Sequence, residues 1–481
     1  MLEDIIQERR KKLEEYRKTA DPYPAKSHRD ITIADFSARF TELEKEGKEV
    51  IIVGRVGAWR DQGKIIFADV KDESGRCQVV LNEREFEGFA RAATTTDLGD
   101  FVEVKGTPFL TKRGEQSILT KQFRILTKSL RPIPSEWYGI EDSELKLRKR
   151  YLDLLTHPET RDIFVKKEIF WSTIRDFLRE KAFHEVETPV LEPVPGGAEA
   201  EPFMTHHNAL DTDFFLRISL ELPLKKLLVG GFEKVFEMGR IFRNEGIDRE
   251  HLQDYTQMEC YWAYADYKDM MAFVEEMYKK AIMNVFGKLE TSYMGTTIDW
   301  STPWPMVDYY GIFEKETGIK LQTVTVAELL VKAKEFHCDA DANAGRGRLI
   351  DLIYKKKVRP KLQQPCFLID PPVDIEPLAK RLDKDQNRVA RFQVIAGGTE
   401  LGKGFSELND PIDQRSRFEE QMKLREAGDK EAQRIDEDFI EALEYGMPPA
   451  AGFGVSERLF AVLMDKPVRE TVIFPLMRKE Q

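Results

Sequence analysis

The chain has 481 residues, more than one ordinary hydrophobic core supports, so two or three domains are expected. Charged residues at 33% and hydrophobic ones at 41% mark a globular protein, and no run of eighteen apolar residues offers a membrane partner. A formal charge of −11 argues against wholesale coating of DNA or RNA but permits a local basic face.

Residues 1–45 read as a helical extension, with Leu2, Ile5, Ile6, Leu13 and Tyr16 at helical spacing and Pro22 and Pro24 as the stop. Arg9, Arg10, Lys11 and Lys12 suit a solvated face better than a nucleic-acid contact. This charged start is no secretory signal, and Cys77, Cys260, Cys338 and Cys366 have no paired spacing for zinc or disulfides, so a reducing cytoplasm is expected. Residues 46–130 hold VIIVGRVGAW, KIIFADVKD, GRCQVVL, DFVEVKGTPFL and EQSILTKQFRIL, with a helix near Glu83–Ala93. Five short strands of this kind predict a small closed barrel of the oligonucleotide-binding type, the OB-fold. A pure scaffold barrel would read the same.

Residues 131–157 read as a linker, with a positive run at Lys146, Arg148, Lys149 and Arg150 that suits solvent and a nucleic-acid backbone equally. The remainder, 158–481, reads as one α+β domain. A long amphipathic helix spans Thr160–Lys181, and FHEVETPVLEPV follows as an edge segment, because Pro189, Pro193 and Pro195 exclude a central ladder position. Residues 291–365 read as an insertion, with a predicted helix over Val324–Phe336, a Gly-rich turn at 345–347 and a basic run over Lys355–Lys361.

The most informative stretch is Phe236–Tyr261, FEMGRIFRNEGIDREHLQDYTQMECY. Two strand-like segments flank a polar connection of about fifteen residues, longer than a hairpin turn needs and suited to a binding loop. Arg243 offers a planar donor fork for phosphate or carboxylate, and Tyr255 a stacking face. A surface hairpin with ordinary ion pairs fits the same spacing.

GRIFRNEG followed by QMECYWAY resembles motif 2 of class II aminoacyl-tRNA synthetases. PGGAEAEPFMTHHNALD (195–211), GKGFSELNDPIDQRSRF (402–418) and GFGVSERL (452–459) extend the likeness in the same order. Over roughly residues 45–478 the chain resembles the bacterial-type lysyl-tRNA synthetase family of subclass IIb. That resemblance implies an OB-fold that binds the anticodon, followed by a catalytic domain on an antiparallel sheet flanked by helices. It implies ATP and L-lysine as substrates, Mg2+, tRNA(Lys) as partner, a homodimer with Pro189 at its interface, and reaction through a lysyl-adenylate.

Residue by residue, the likeness gives Arg243 the α-phosphate and substrate carboxylate, and Arg458 the γ-phosphate. Glu245 and His251 fall on the adenine and phosphate side of the catalytic site, with Tyr255 stacking the base where the family more often has Phe. Glu407 and Tyr261 would hold the lysine ε-ammonium, with Glu259 behind them, while Glu221 and the Gly197 backbone would hold the α-amino group. Without the resemblance, three acids and a tyrosine on a sheet fit a structural network as well. Phe67 would stack an anticodon base, with Gln78 and Glu115 on base edges. Glu400, Glu407 and Gln393 form the expected metal set.

Three departures from the family stand out. Gln393 replaces a usual Glu, which implies fewer or weaker metal sites. Lys403 replaces a usual Asn and is expected on the substrate carboxylate or, alternatively, on Glu407. GFGVSER is one residue shorter than the common motif, with Glu457 for Asp. The competing readings are an aspartate- or asparagine-specific relative and a non-catalytic tRNA-binding paralogue.

Overall fold

The structure, a computed structural model, describes residues 2–134, 141–246, 248–341, 344–426 and 432–478. They fall into two compact units, 1–141 and 142–481.

In the first unit, strands β1 (Val50–Asp61), β2 (Ile65–Lys71), β3 (Arg76–Asn82), β4 (Phe101–Leu110) and β5 (Gln116–Thr127) close a barrel in the order β1-β2-β3-β5-β4. Alternation explains it: Ile66, Ala68 and Val70 of β2 and Val79 and Leu81 of β3 are fully buried inside, which leaves Phe67, Gln78 and Val80 on the outer face. The expected connecting helix lies at Phe89–Thr95. The first helix, Leu2–Arg17, buries Ile6, Leu13 and Tyr16 as its spacing predicts. Arg9 departs from the expected solvated face, because its guanidinium donates to the carbonyls of Ser129 (2.9 Å) and Arg131 (3.2 Å). The barrel interior and this helix share one apolar cluster.

Residues 142–156 begin the second unit as two short helices, Ser143–Arg148 and Arg150–Thr156; of the expected linker, 135–140 lie outside the described residues. Arg150 is buried on Asp153 at 2.7 Å and Arg148 pairs with Glu144, so part of the basic run is committed internally.

The unit is built on eight strands: β6 (His184–Glu185), β7 (Lys234–Phe242), β8 (Asp254–Ala263), β9 (Met306–Asp308), β10 (Cys366–Ile369), β11 (Arg391–Ala396), β12 (Thr399–Ser406) and β13 (Ala450–Ser456). Their order is β9-β10-β11-β12-β13-β8-β7-β6, antiparallel except for the pair at each edge. The long helices Pro158–Glu180 and Tyr267–Phe286 cover one face, where Phe236, Met258, Phe392, Val394 and Phe453 meet Phe170, Phe177, Met277 and Tyr278. Each such side chain contributes about 1.5–3 kcal/mol on burial, and this packing makes the covered face a rigid back wall. Because side chains alternate, Arg391, Gln393, Lys403, Glu259 and Tyr261 emerge on the opposite face.

The turn joining β11 to β12 is Gly397-Gly398, with φ of +59° and +69°. This pair of left-handed residues matches the twist of a tight hairpin, and a bulge at Leu401, between the pairs Ile395–Glu400 and Val394–Gly402, then sets Gln393 opposite Lys403. The expected insertion contains the predicted helix, at Val326–Glu335 with a Thr325–Glu328 capping box, and packs its own apolar cluster. Two features differ from expectation. Met306–Asp308 is an edge strand of the main sheet, and the Gly-rich turn opens a further helix, Arg346–Ile353, which runs into a π-helical turn at Tyr354–Val358.

Candidate active site

The open face of the sheet floors a cavity of about 590 Å3, within the roughly 300–1,000 Å3 typical of small-molecule sites. The floor is low because β13 contributes Gly452 and Gly454. A Cβ on Gly452 would meet Glu407 Oε1 at 2.2 Å and the Tyr261 ring at 2.4 Å, so no larger residue fits without displacing both.

One end of the cavity is acidic. Glu259 is saturated by internal donors: Ser219 Oγ (2.9 Å), the Leu220 N–H (3.0 Å) and the Gln257 amide on one oxygen, and the Tyr261 hydroxyl (2.9 Å) on the other. It therefore positions Tyr261 and holds no guest itself. Glu221 opens the helix Glu221–Val229, and one turn later Lys225, fully buried, donates to Glu221 at 2.5 Å and ion-pairs with Glu407. Two carboxylates share one ammonium, and Glu407 Oε1 is buried without a hydrogen-bond partner among the described residues. Burial pushes the Glu407 carboxyl well up and Glu221 to about 7, against the opposing pull of Lys225. Burial alone would lower Lys225, but Glu221 and Glu407 outweigh it and keep the amine charged. The Tyr261 hydroxyl is pushed up by burial and by the same acids, so it stays protonated. With one ammonium between two buried carboxyls, a proton supplies the second positive charge until a cation displaces it.

The other end is cationic. Arg243, at the end of β7, donates to the Ile218 carbonyl from Nε (3.3 Å) and Nη2 (3.2 Å) and lies 5.7 Å from the Tyr255 ring centroid. Arg458 donates to the carbonyls of Glu250 (3.2 Å) and Glu400 (3.5 Å). Both guanidiniums line the cavity, held among the described residues by carbonyls and not by carboxylates, which leaves their charge for a ligand. Tyr255 and the Gly197 backbone line it too, the latter beside Glu221 and Ser219.

The chain that forms this acidic recess beside two guanidiniums is similar in sequence to known proteins. Residues 142–478 match the class II tRNA synthetases (D, K and N), and residues 50–126 match the OB-fold nucleic acid binding domain. The chain belongs to the class II tRNA synthetases. It is 45% identical to the lysine–tRNA ligase of Roseiflexus sp. (strain RS-1), over 99% of both chains. It is 44% identical to the lysine–tRNA ligase of Roseiflexus castenholzii over 100% of both chains, and 44% to that of Moorella thermoacetica over 99% of this chain and 98% of that one.

Not every expected residue of the synthetase reaches the cavity. Glu245 and His251 are not among its lining residues. The His251 ring is turned onto Asp248, 2.7 Å away, and the Glu245 carbonyl accepts from Gln253; the loop tip, Ile247, lies outside the described residues. Lys403 does not pair with Glu407, its alternative expected partner: its Nζ lies 3.0 Å from Glu376, a buried acid also 3.2 Å from Arg391. Of the expected metal set, Gln393 and Glu400 are in contact and Glu407 stands apart. Gln393 turns its amide onto Glu400, Glu407 is engaged by Lys225, and no group of three acidic, His or Cys side chains among the described residues could hold a metal.

On the barrel, Phe67 and Gln78 share the outer face. Gln78 donates to Glu115 at 3.2 Å and accepts from Ser117 at 3.1 Å, so the two expected base-reading groups are brought into contact. Sequence reasoning missed Lys225, buried behind Glu221 and Glu407, and the cavity-lining Glu376, Arg391, Arg346, Tyr354 and Lys355. The Glu221–Lys225 spacing of four on a helix was the available signal for Lys225.

Proposed function

We propose that this synthetase joins L-lysine to tRNA(Lys) with ATP. The lysine carboxylate attacks the α-phosphate, releasing diphosphate and leaving lysyl-adenylate. The terminal ribose hydroxyl of the tRNA then attacks the adenylate carbonyl and releases AMP. No side-chain nucleophile is needed, because positioning and fixed charge supply the rate.

The observation that carries the lysine reading is the unpartnered, buried Glu407 Oε1 beside the protonated Tyr261 hydroxyl. A guest ε-ammonium donates to both and supplies the charge that Lys225 leaves unmet. Glu221 and the Gly197 backbone face the α-amino group. Arg243 offsets charge at the carboxylate and α-phosphate, Tyr255 stacks the base, and Arg458 holds the γ-phosphate. An aspartate or asparagine side chain would instead need a cation or an amide donor where Glu407 lies, which disfavours that alternative. The full-length likeness to lysine–tRNA ligases supports the same choice.

Magnesium needs hard oxygen ligands. Gln393, Glu400 and Glu407 as placed do not fit a protein-held magnesium; Mg2+ belongs with ATP, chelated by the nucleotide's own phosphates. The barrel face carrying Phe67, Gln78 and Glu115 is read as the anticodon platform. A homodimer is inferred through the Pro189 segment, where Val190 and Leu191 are exposed apolar residues. Free cysteines throughout the chain suit a cytoplasmic setting, and no described helix is long and apolar enough to cross a membrane.

The test is ATP–pyrophosphate exchange across the twenty amino acids, followed by tRNA charging. Exchange with lysine far above the rest is expected. Preference for aspartate or asparagine, or no exchange at all, would overturn the reading.

A further inference from the structure

The end of the cavity around Glu400 has already cancelled its own negative charge. Gln393 and Lys403 are direct cross-strand partners, and Lys403 faces Gly454 on its other side. On the Gly454 side no Cβ crowds Lys403, and its side chain is 39% exposed although it lines the cavity. One of its ammonium donors is anchored to Glu376 at 3.0 Å, with Arg391 on the same carboxylate. An ammonium has three donors, so two remain for a ligand. Gln393 Nε2 donates to Glu400 Oε2. A second carboxylate at that distance would demand a cation between the two, whereas an amide satisfies Glu400 by itself. Arg391, Arg458 and Lys403 all act on the Glu400 charge. A dication approaching it would meet these cations and find one ligand oxygen already taken.

We propose that Lys403, with Gln393 bonded to Glu400, takes the place of a protein-held divalent cation in this synthetase, so that the only metal in the site is the one ATP carries. Lys403 then offsets anionic charge on the bound reactants directly. The proposal rests on the nucleotide reading above, and the experiment separates the two.

Mn2+ binding is measured by electron paramagnetic resonance with the full-length protein and β,γ-methylene-ATP, for wild type, Gln393→Glu, Lys403→Asn and the double variant, with melting curves to confirm folding. Wild type is expected to hold a single Mn2+ per bound nucleotide. The double variant, which places two carboxylates side by side and removes the ammonium, is expected to hold one more. In exchange assays wild type saturates when Mg2+ matches ATP, and the double variant needs Mg2+ in excess. Lys403→Met, with no carboxylate pair to recruit a metal, loses about tenfold in exchange and is not rescued by excess Mg2+. Extra Mn2+ on wild type, or none gained by the folded double variant, overturns the proposal. No nucleotide-dependent Mn2+ on any variant would instead remove the nucleotide reading beneath it.

Discussion

The two ends of the cavity solve opposite electrostatic problems on one sheet face. At the β13–β8 end, Glu221 and Glu407 share Lys225, and a buried oxygen is left without a partner. At the β11–β12 end, Glu400 is answered by Gln393 and ringed by cations, and burial, which works to raise the Glu376 and Glu400 carboxyls, is outweighed so that both lie below the usual range. The first end is incomplete until a cation arrives; the second is complete and offers surplus positive charge to an anion. A cationic amino acid and a polyphosphate therefore each have one place to go, which orients them toward each other.

The largest way to break this comparison is at the cationic end. Arg458→Ala removes a guanidinium held by the Glu250 and Glu400 carbonyls, and ATP–pyrophosphate exchange is expected to fall about 100- to 1,000-fold with the melting temperature little changed. At the acidic end, Gly452→Ala drives a methyl group into Glu407 Oε1 and Tyr261, and the KM for lysine is expected to rise on the order of 100-fold while the KM for ATP holds. Gln78→Ala touches neither end: tRNA charging is expected to fall about tenfold with lysine-dependent exchange unchanged. The smallest effect is that of pH. Because burial raises Glu221 and Glu407, protons compete with the incoming ammonium, so the KM for lysine is expected to fall a few-fold as pH rises through about 7. The same shift runs the other way for stability: raised carboxyls favour the folded state at low pH, and that contribution is lost as pH rises through their folded pKa.

Much of this was legible before the structure because it is local in sequence. Alternation in the barrel strands, the helical spacing of residues 1–18 and the amphipathic pattern over Thr160–Lys181 all act over a few residues. What escaped is set by pairing across distant strands. Lys403 reads as a partner for the substrate carboxylate, or alternatively for Glu407 four residues away; the alternation of β12 and the approach of Glu376 give it an acid of the protein that neither reading named. Lys225 lies in an apolar helix segment, ELPLKKLLV, where a lysine reads as a solvated turn; only the sheet packed against it shows that its ammonium is enclosed. His251 reads as a ligand group because it follows Arg243 in the motif, but a local Asp248 contact captures it first.

The most direct test is the ratio of kcat/KM for lysine over norleucine, which has the same four side-chain carbons but no terminal ammonium, in wild type and Glu407→Gln. A buried carboxylate that reads the ammonium predicts that the ratio collapses at least about 100-fold, on the order of 3 kcal/mol, through loss of lysine alone. An unchanged ratio in the folded variant would show that Glu407 serves Lys225 only, and would contradict the account.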